Sequence, residues 1–192
     1  IDDDIAEGIS RTAREKSADL IVMGWSETLG IRARLFGNVI DKVFWAAHCP
    51  VAVTRLLEDP VDIHSILVPM KSITPQSIRT VRFAQLFASA NQASVTLLHV
   101  SDRRTPSEQY AEFETALAGV LQQEGPKVNA QIKTLCGDNA ASVILDAARE
   151  VDLVVLRSVR RRTAGGLAVS DVTTEAIREL KCSIVLFGEP HT

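Results

Sequence analysis

Ala18-Asp-Leu-Ile-Val-Met-Gly24 and Val151-Asp-Leu-Val-Val-Leu-Arg157 share one pattern, an acid followed by an aliphatic run, with Asp152 in the place of Asp19. The offset that carries Asp19 onto Asp152 also carries Cys49 onto Cys182 and Val51-Ala-Val53 onto Ile184-Val-Leu186, with no gap between. Self-similarity at a fixed offset marks an internal repeat. Short runs rich in β-branched and aliphatic residues read as buried strands. A helical rhythm precedes each run. Ile5, Ile9 and Ala13 fall four apart on one face, and Val143, Ala147 and Glu150 follow a looser version of the spacing. Each copy therefore reads helix, strand, long loop, helix, strand.

The residues between the copies supply the rest of a folding unit. Stretches 65–70, 93–100 and 127–135 are rich in β-branched and aliphatic residues and read as strands. Pro75 after Thr74 suits a first helical turn, continued by Ile78, Val81 and Leu86; Pro106 and Ser107 open another with Tyr110, Phe113, Leu117 and Leu121. Helices over 138–150 and 170–180 and strands over 152–157 and 183–187 complete the series. Residues 63–189 thus hold five strands alternating with four helices, which predicts an α/β fold with a parallel sheet covered on both faces. Residues 1–57 contain only the last two strands of such a unit, and 58–62, opening Glu58-Asp59-Pro60, read as a linker to a complete domain over 63–192. A half-domain of this kind leaves strand 20–23 with an unpaired edge, so it is expected to lean on a second chain or on the C-terminal unit.

Composition narrows the function classes. Twenty-one Lys and Arg against 24 Asp and Glu give a net charge of −3, so there is no bulk positive field to attract nucleic acid. The apolar runs are far shorter than the roughly 20 residues that span a bilayer. Three cysteines, Cys49, Cys136 and Cys182, without a CxxC pair argue against a disulfide framework or a structural zinc site and suit a reducing cytoplasm. A chain opening on Ile1 with no signal pattern reads as part of a longer protein.

Ile66-Leu-Val-Pro69, Val95-Thr-Leu-Leu-His-Val100, the Ala18–Gly24 strand and the ending Ala47-His-Cys-Pro-Val-Ala-Val53 together resemble the universal stress protein family along nearly the whole chain. The resemblance implies a Rossmann-like five-stranded parallel sheet of order 3-2-1-4-5, with fifth strands that pair into dimers or tandem pseudo-dimers. In the nucleotide-binding branch, a glycine ends strand four, a second follows three residues later, and after nine more residues Gly-Ser or Gly-Thr opens the last helix. Glycines let backbone amides approach phosphates, and the helix N-terminus favours the anion. Here those positions are Gly24, Glu27, Gly37 and Asn38, so Glu27 adds a negative charge where the second glycine stood. The resemblance implies ATP or AMP in the first domain when that domain is complete. In the second copy Arg157, Arg160, Ser170 and Asp171 take the four places, and Lys71 stands where nucleotide-binding members carry an acid. No nucleotide is expected there; Arg157, Arg160, Arg161 and Arg162 could hold an anion through side chains or form a solvated basic loop.

Other candidates have plainer explanations. His48, His64, His99 and His191 show no ligand spacing, and Ser101-Asp102 after His99 lacks a nucleophile elbow. Cys49 and Cys182 read as small core residues. Trp25 and Trp45 suit either a core or a partner-facing anchor, and Asp2-Asp3-Asp4 suits a helix N-cap. Runs such as Arg32-Ala-Arg-Leu-Phe-Gly-Asn-Val-Ile40, Phe44-Trp45 and Thr80-Val-Arg-Phe-Ala-Gln85 resemble the cytoplasmic tail of bacterial, cyanobacterial-type, sodium/proton antiporters. That resemblance implies a non-enzymatic regulatory domain, acting through a nucleotide, a small anion or dimer contacts. Its implied partners are a second copy joined through sheet edges and a membrane transporter domain of the same polypeptide, which would leave the tail soluble below an inner membrane. A free-standing tandem stress protein that binds ATP or AMP is the alternative.

Overall fold

Asp152, the acid of the second repeat, ties two neighbouring strands together. Its Oδ2 accepts from the backbone amides of His64 (3.0 Å) and Ser65 (2.9 Å) and from the Ser65 hydroxyl (2.7 Å), while its own amide donates to Ser65 Oγ at 3.0 Å. The computed structural model that provides these contacts describes residues 4–25, 38–123, 125–158, 161–163, 166–168 and 170–189; for 38, 107, 161–163 and 166–168 it describes the backbone alone. Along the chain the elements are α1 (Ile5–Glu15), β1 (Ile21–Gly24), α2 (Asn38–Ala46), β2 (Val51–Arg55), β3 (Ser65–Met70), α3 (Pro75–Asn91), β4 (Ser94–Ser101), α4 (Ser107–Gln123), β5 (Ala130–Cys136), α5 (Ala140–Ala147), β6 (Leu153–Arg157), β7 (Arg161–Thr163), β8 (Gly166–Ala168), α6 (Asp171–Glu179) and β9 (Ser183–Gly188).

Local chemistry sets the helix starts. Asp4 accepts from the Ala6 amide at 3.0 Å and so caps α1, the role expected of the acidic run. Thr74 and Ser77 form a reciprocal capping box around Pro75, so α3 begins where the Thr-Pro pair predicts. Asn139 caps α5 through the amides of Ala141 and Ser142. The segment expected as a linker is a single turn of 3-10 helix, Pro60–Asp62, capped by Asp59. Among the described residues no helix is long and apolar enough to cross a membrane.

Seven strands form one sheet of order β1-β2-β9-β6-β3-β4-β5. Within it β9-β6-β3-β4-β5 repeats the expected five-stranded order, and the strands paired in β1–β2, β3–β4, β3–β6 and β4–β5 are parallel. The sheet is longer than a five-stranded unit because the fifth strands of the two copies, β2 and β9, are neighbours. Two compact units result, and their limits differ from a cut at 58–62. Ile1–Arg55, Arg157–Thr174 and Val185–Thr192 form one, and Leu56–Leu156 with Glu175–Ile184 form the other. In the first unit, Val51, Ala52 and Val53 of β2 are almost completely buried, as are Val43 and Phe44 of α2. A Cβ at Gly188 would overlap the Phe44 ring, so only glycine lets α2 lie this close to the end of β9. In the second unit, Leu67, Leu97, Leu98, Leu153 and Ile184 form the centre of the core.

Two details differ from the sequence reading. The long loop of the second copy contains a hairpin, β7–β8, pairing Arg161 with Ala168 and Thr163 with Gly166. And of the Ile5, Ile9 and Ala13 face of α1 Ala13 is buried, together with Ala6 and Ser10, while Ile9 is half-buried and Ile5 is 68% exposed.

Burial raises the Asp152 carboxyl, but the Ser65 hydroxyl and the His64 and Ser65 amides outweigh it, and the group is held below the ordinary carboxylate range. Because the folded value is the depressed one, its stabilisation is complete above the unfolded value and is lost as pH falls through the folded value. Asp152→Ala should cost about 1–3 kcal/mol at neutral pH in urea unfolding. The gap between wild type and variant should close below about pH 4; a gap independent of pH would contradict the clamp.

Candidate functional site

The carboxyl ends of β1 and β2 are where an open α/β sheet presents ligand-binding backbone. Register fixes what meets there. Gly24 lies opposite Thr54, the Trp25 amide donates to the Thr54 carbonyl at 2.8 Å, and Thr54 Oγ1 donates to the Met23 carbonyl at 3.3 Å. The next residues, Trp25 and Arg55, are therefore neighbours, and the Arg55 guanidinium lies 5.5 Å from the centroid of the Trp25 ring. Arg55 is 9% exposed, so its charge is held against an aromatic face in a largely buried setting, where such contacts are strongest.

Gly24 itself is exposed, and a Cβ built there would meet nothing within 4 Å. Packing among the described residues does not require this glycine. Asn38 is the first residue of α2, so the backbone of the motif's last position begins a helix. Glu27 and Gly37 lie outside the described residues, as does the Asn38 side chain. Of the four positions, the structure thus locates Gly24 and the α2 start in the same unit.

In the second copy the helix start carries a side-chain cap. Ser170, the counterpart of Gly37, accepts from the Thr173 amide at 3.1 Å and shares a 2.8 Å hydroxyl contact with Thr173 Oγ1. A side chain thereby occupies a donor at the start of α6 that an anion would need. Arg157 is half-buried at the end of β6, Arg161 and Arg162 belong to β7, and Arg160 lies outside the described residues, as do the side chains of Arg161 and Arg162. Lys71 is exposed just beyond β3.

The remaining candidates separate by partner. His99 donates from Nδ1 to the Met70 carbonyl at 3.2 Å and stacks on Phe113 with centroids 4.0 Å apart. Asp102 accepts from the Arg104 amide at 2.9 Å, and neither bond links His99 to Ser101 or Asp102. Cys49 is buried as expected, whereas Cys182 is only partly so, although each precedes the fifth strand of its copy. Trp45 is 41% exposed and His48 is exposed just past α2. Among the described residues no group of three or more His, Cys, Asp or Glu could hold a metal ion. Arg55 is the residue that sequence reasoning missed.

Comparison with known proteins agrees with this architecture. The chain is 52% identical over all 192 residues to the Na+/H+ antiporter NhaS5 of Synechocystis, and spans 28% of that protein's length. A functionally unknown protein of Pseudomonas aeruginosa superposes with a TM-score of 0.67 at 16% identity, covering 98% of this chain and 69% of that one. The universal stress protein of Archaeoglobus fulgidus in complex with dAMP superposes with a TM-score of 0.51 at 19% identity, covering 65% of this chain and 97% of that one. The Universal stress protein family model matches residues 1–55 and 63–188, two segments that together take in nearly every element of the sheet and its helices, and the chain belongs to that family.

Proposed function

We propose that residues 1–192 are a non-enzymatic regulatory module of a cation/proton antiporter, attached to the transporter domain and acting on the cytoplasmic side of the membrane. The observation that carries this reading is the 52% identity along the entire chain to one continuous part of an antiporter. Identity that extends through both copies of the repeat is what a shared tail would leave. The effector is a nucleotide such as AMP or ATP, or a small anion, held at the Gly24 end of β1 beside α2. Three features support that choice: an exposed glycine that packing does not require, a helix start in the same unit, and the Trp25–Arg55 pair at the adjoining strand ends. The indole offers a stacking face for a base, and the guanidinium adds positive charge nearby. In the second copy the Ser170 cap occupies the equivalent position, so no nucleotide is assigned there.

Changes in the ligand state would alter the contacts of the module, including dimer contacts, and so bias the transporter between states of different activity. A free-standing tandem stress protein would bind the same ligand without a transporter to act on. Calorimetric titration of AMP and ATP into the full-length gene product tests the site. Gly24→Ala should change stability by less than about 0.5 kcal/mol, because the added methyl meets open space, yet weaken nucleotide binding by about tenfold or more. Undiminished binding by Gly24→Ala would remove the ligand from this end of β1, and absence of heat with the wild type would remove the nucleotide.

A further inference from the structure

Among the described residues every α-helix but one carries an acid. Glu7 and Glu15 lie in α1, Asp41 in α2, Glu108 and Glu112 in α4, Asp146 in α5, and Asp171 and Glu175 in α6. The exception is α3, whose charged residues are Arg79 and Arg82. In a chain of net charge −3 such a helix is a local reversal of sign.

Spacing and packing put that charge on one ridge. Val81, Ala84 and Ala88 turn inwards with Ser77, Thr80 and Gln85, while β3 and β4 pack on the helix. Pro75, Arg79, Arg82 and Leu86 recur at intervals of four, three and four, the rhythm of one helical face, and all four are exposed. Leu86 is 62% exposed, and Ile78, Phe83 and Phe87 on the flanks are half-buried, so the ridge is apolar as well as cationic. Lys71, exposed just beyond β3, adds a third cation shortly before the helix begins. Of β3, β4 and the turn Pro60–Asp62, which pack on α3, the strands carry no acid; the turn carries Asp62 and is capped by Asp59, whose carboxylate accepts from the Val61 amide at 3.3 Å. Arginines around an exposed leucine, with phenylalanines beside it, are the composition of a helix face that lies on a lipid surface.

We infer that this face of α3 is a docking surface for an anionic membrane, with phospholipid headgroups on Lys71, Arg79 and Arg82 and Leu86 at the boundary between headgroups and acyl chains. Charge complementarity selects that partner. Because the chain as a whole is negative, it has no diffuse attraction to an anionic surface, and contact must be made through a cationic face. The exposed leucine favours a bilayer over nucleic acid, whose phosphate backbone offers no apolar layer. The choice of a membrane also rests on the proposed attachment to a transporter, which would hold α3 near a bilayer at high effective concentration. Three cations and one leucine then suffice for a reversible contact, sensitive to ionic strength.

Flotation of the 192-residue chain with lipid vesicles tests the surface without any transporter, so its failure leaves the antiporter reading standing. Binding to phosphatidylglycerol vesicles at low salt should exceed binding to phosphatidylcholine vesicles by about tenfold or more, and should weaken as salt rises. Arg79→Gln with Arg82→Gln should weaken it by about tenfold or more, since each basic residue near an anionic surface contributes about fivefold. Leu86→Ser should weaken it by about threefold or more. The circular dichroism of these variants should match the wild type, because all three side chains are exposed. Arg11→Gln with Arg14→Gln, which removes the same charge from the exposed side of α1, should leave binding within about twofold. Failure to float with phosphatidylglycerol, equal binding to both kinds of vesicle, or equal loss in the α1 and α3 variants would overturn the inference. So would binding to polyglutamate as tight as to the vesicles and insensitive to Leu86→Ser, since an acidic polypeptide would then be the occupant.

Discussion

The adjacency of β2 and β9 is the constraint on which the rest of the molecule depends. Each is the fifth strand of its copy, and each is almost wholly buried along its length: Val51, Ala52 and Val53 in one, Ile184, Val185, Leu186 and Phe187 in the other. A strand buried on both faces and paired on both edges cannot shift register without exposing its core side chains. Phe44 from the first copy packs where Gly188 of the second leaves room, so the contact is shaped by both copies. Joining the fifth strands leaves β1 and β5 as the outer strands, and it brings the loop after β6 into the same compact unit as α2 and β1. The exposed Gly24 of the first copy and the serine-capped helix start of the second belong to one repeat that has diverged at a few positions.

Much of this was legible in the sequence, because periodicity and repetition are local signals. The acid-plus-aliphatic strands, the Thr74–Pro75 helix start and the five-stranded order each depend on residues close together or on an ungapped offset. The β7–β8 hairpin was not legible, because three-residue strands carry too little pattern to stand out from a basic loop. The face of Ile5, Ile9 and Ala13 gave the helix α1 but not its buried side. Helical spacing identifies an apolar face but not what packs on it, and here the buried residues are Ala6, Ser10 and Ala13.

The candidate site was partly legible. Gly24 stands at a strand end, and its position could be read from the repeat. Arg55 could not be read, because it is far from Trp25 in sequence and only the parallel register of β1 and β2 makes them neighbours. Substitution of the motif in the second copy was visible, but its consequence was not: Ser170 does more than replace a glycine, since its hydroxyl takes the Thr173 amide. In the second copy a side chain therefore takes a donor at the helix start, in the compact unit that also holds the aromatic–cation pair.

The central claim is that this module regulates an antiporter to which it is joined. Cation/proton exchange in vesicles reconstituted with the full-length gene product, with and without residues 1–192 and over a range of pH and AMP, tests it most directly. The account predicts that removal leaves exchange in place, shifts its dependence on pH or cation and abolishes any response to nucleotide. An exchange profile identical in the two proteins, at every pH and nucleotide concentration, would contradict it.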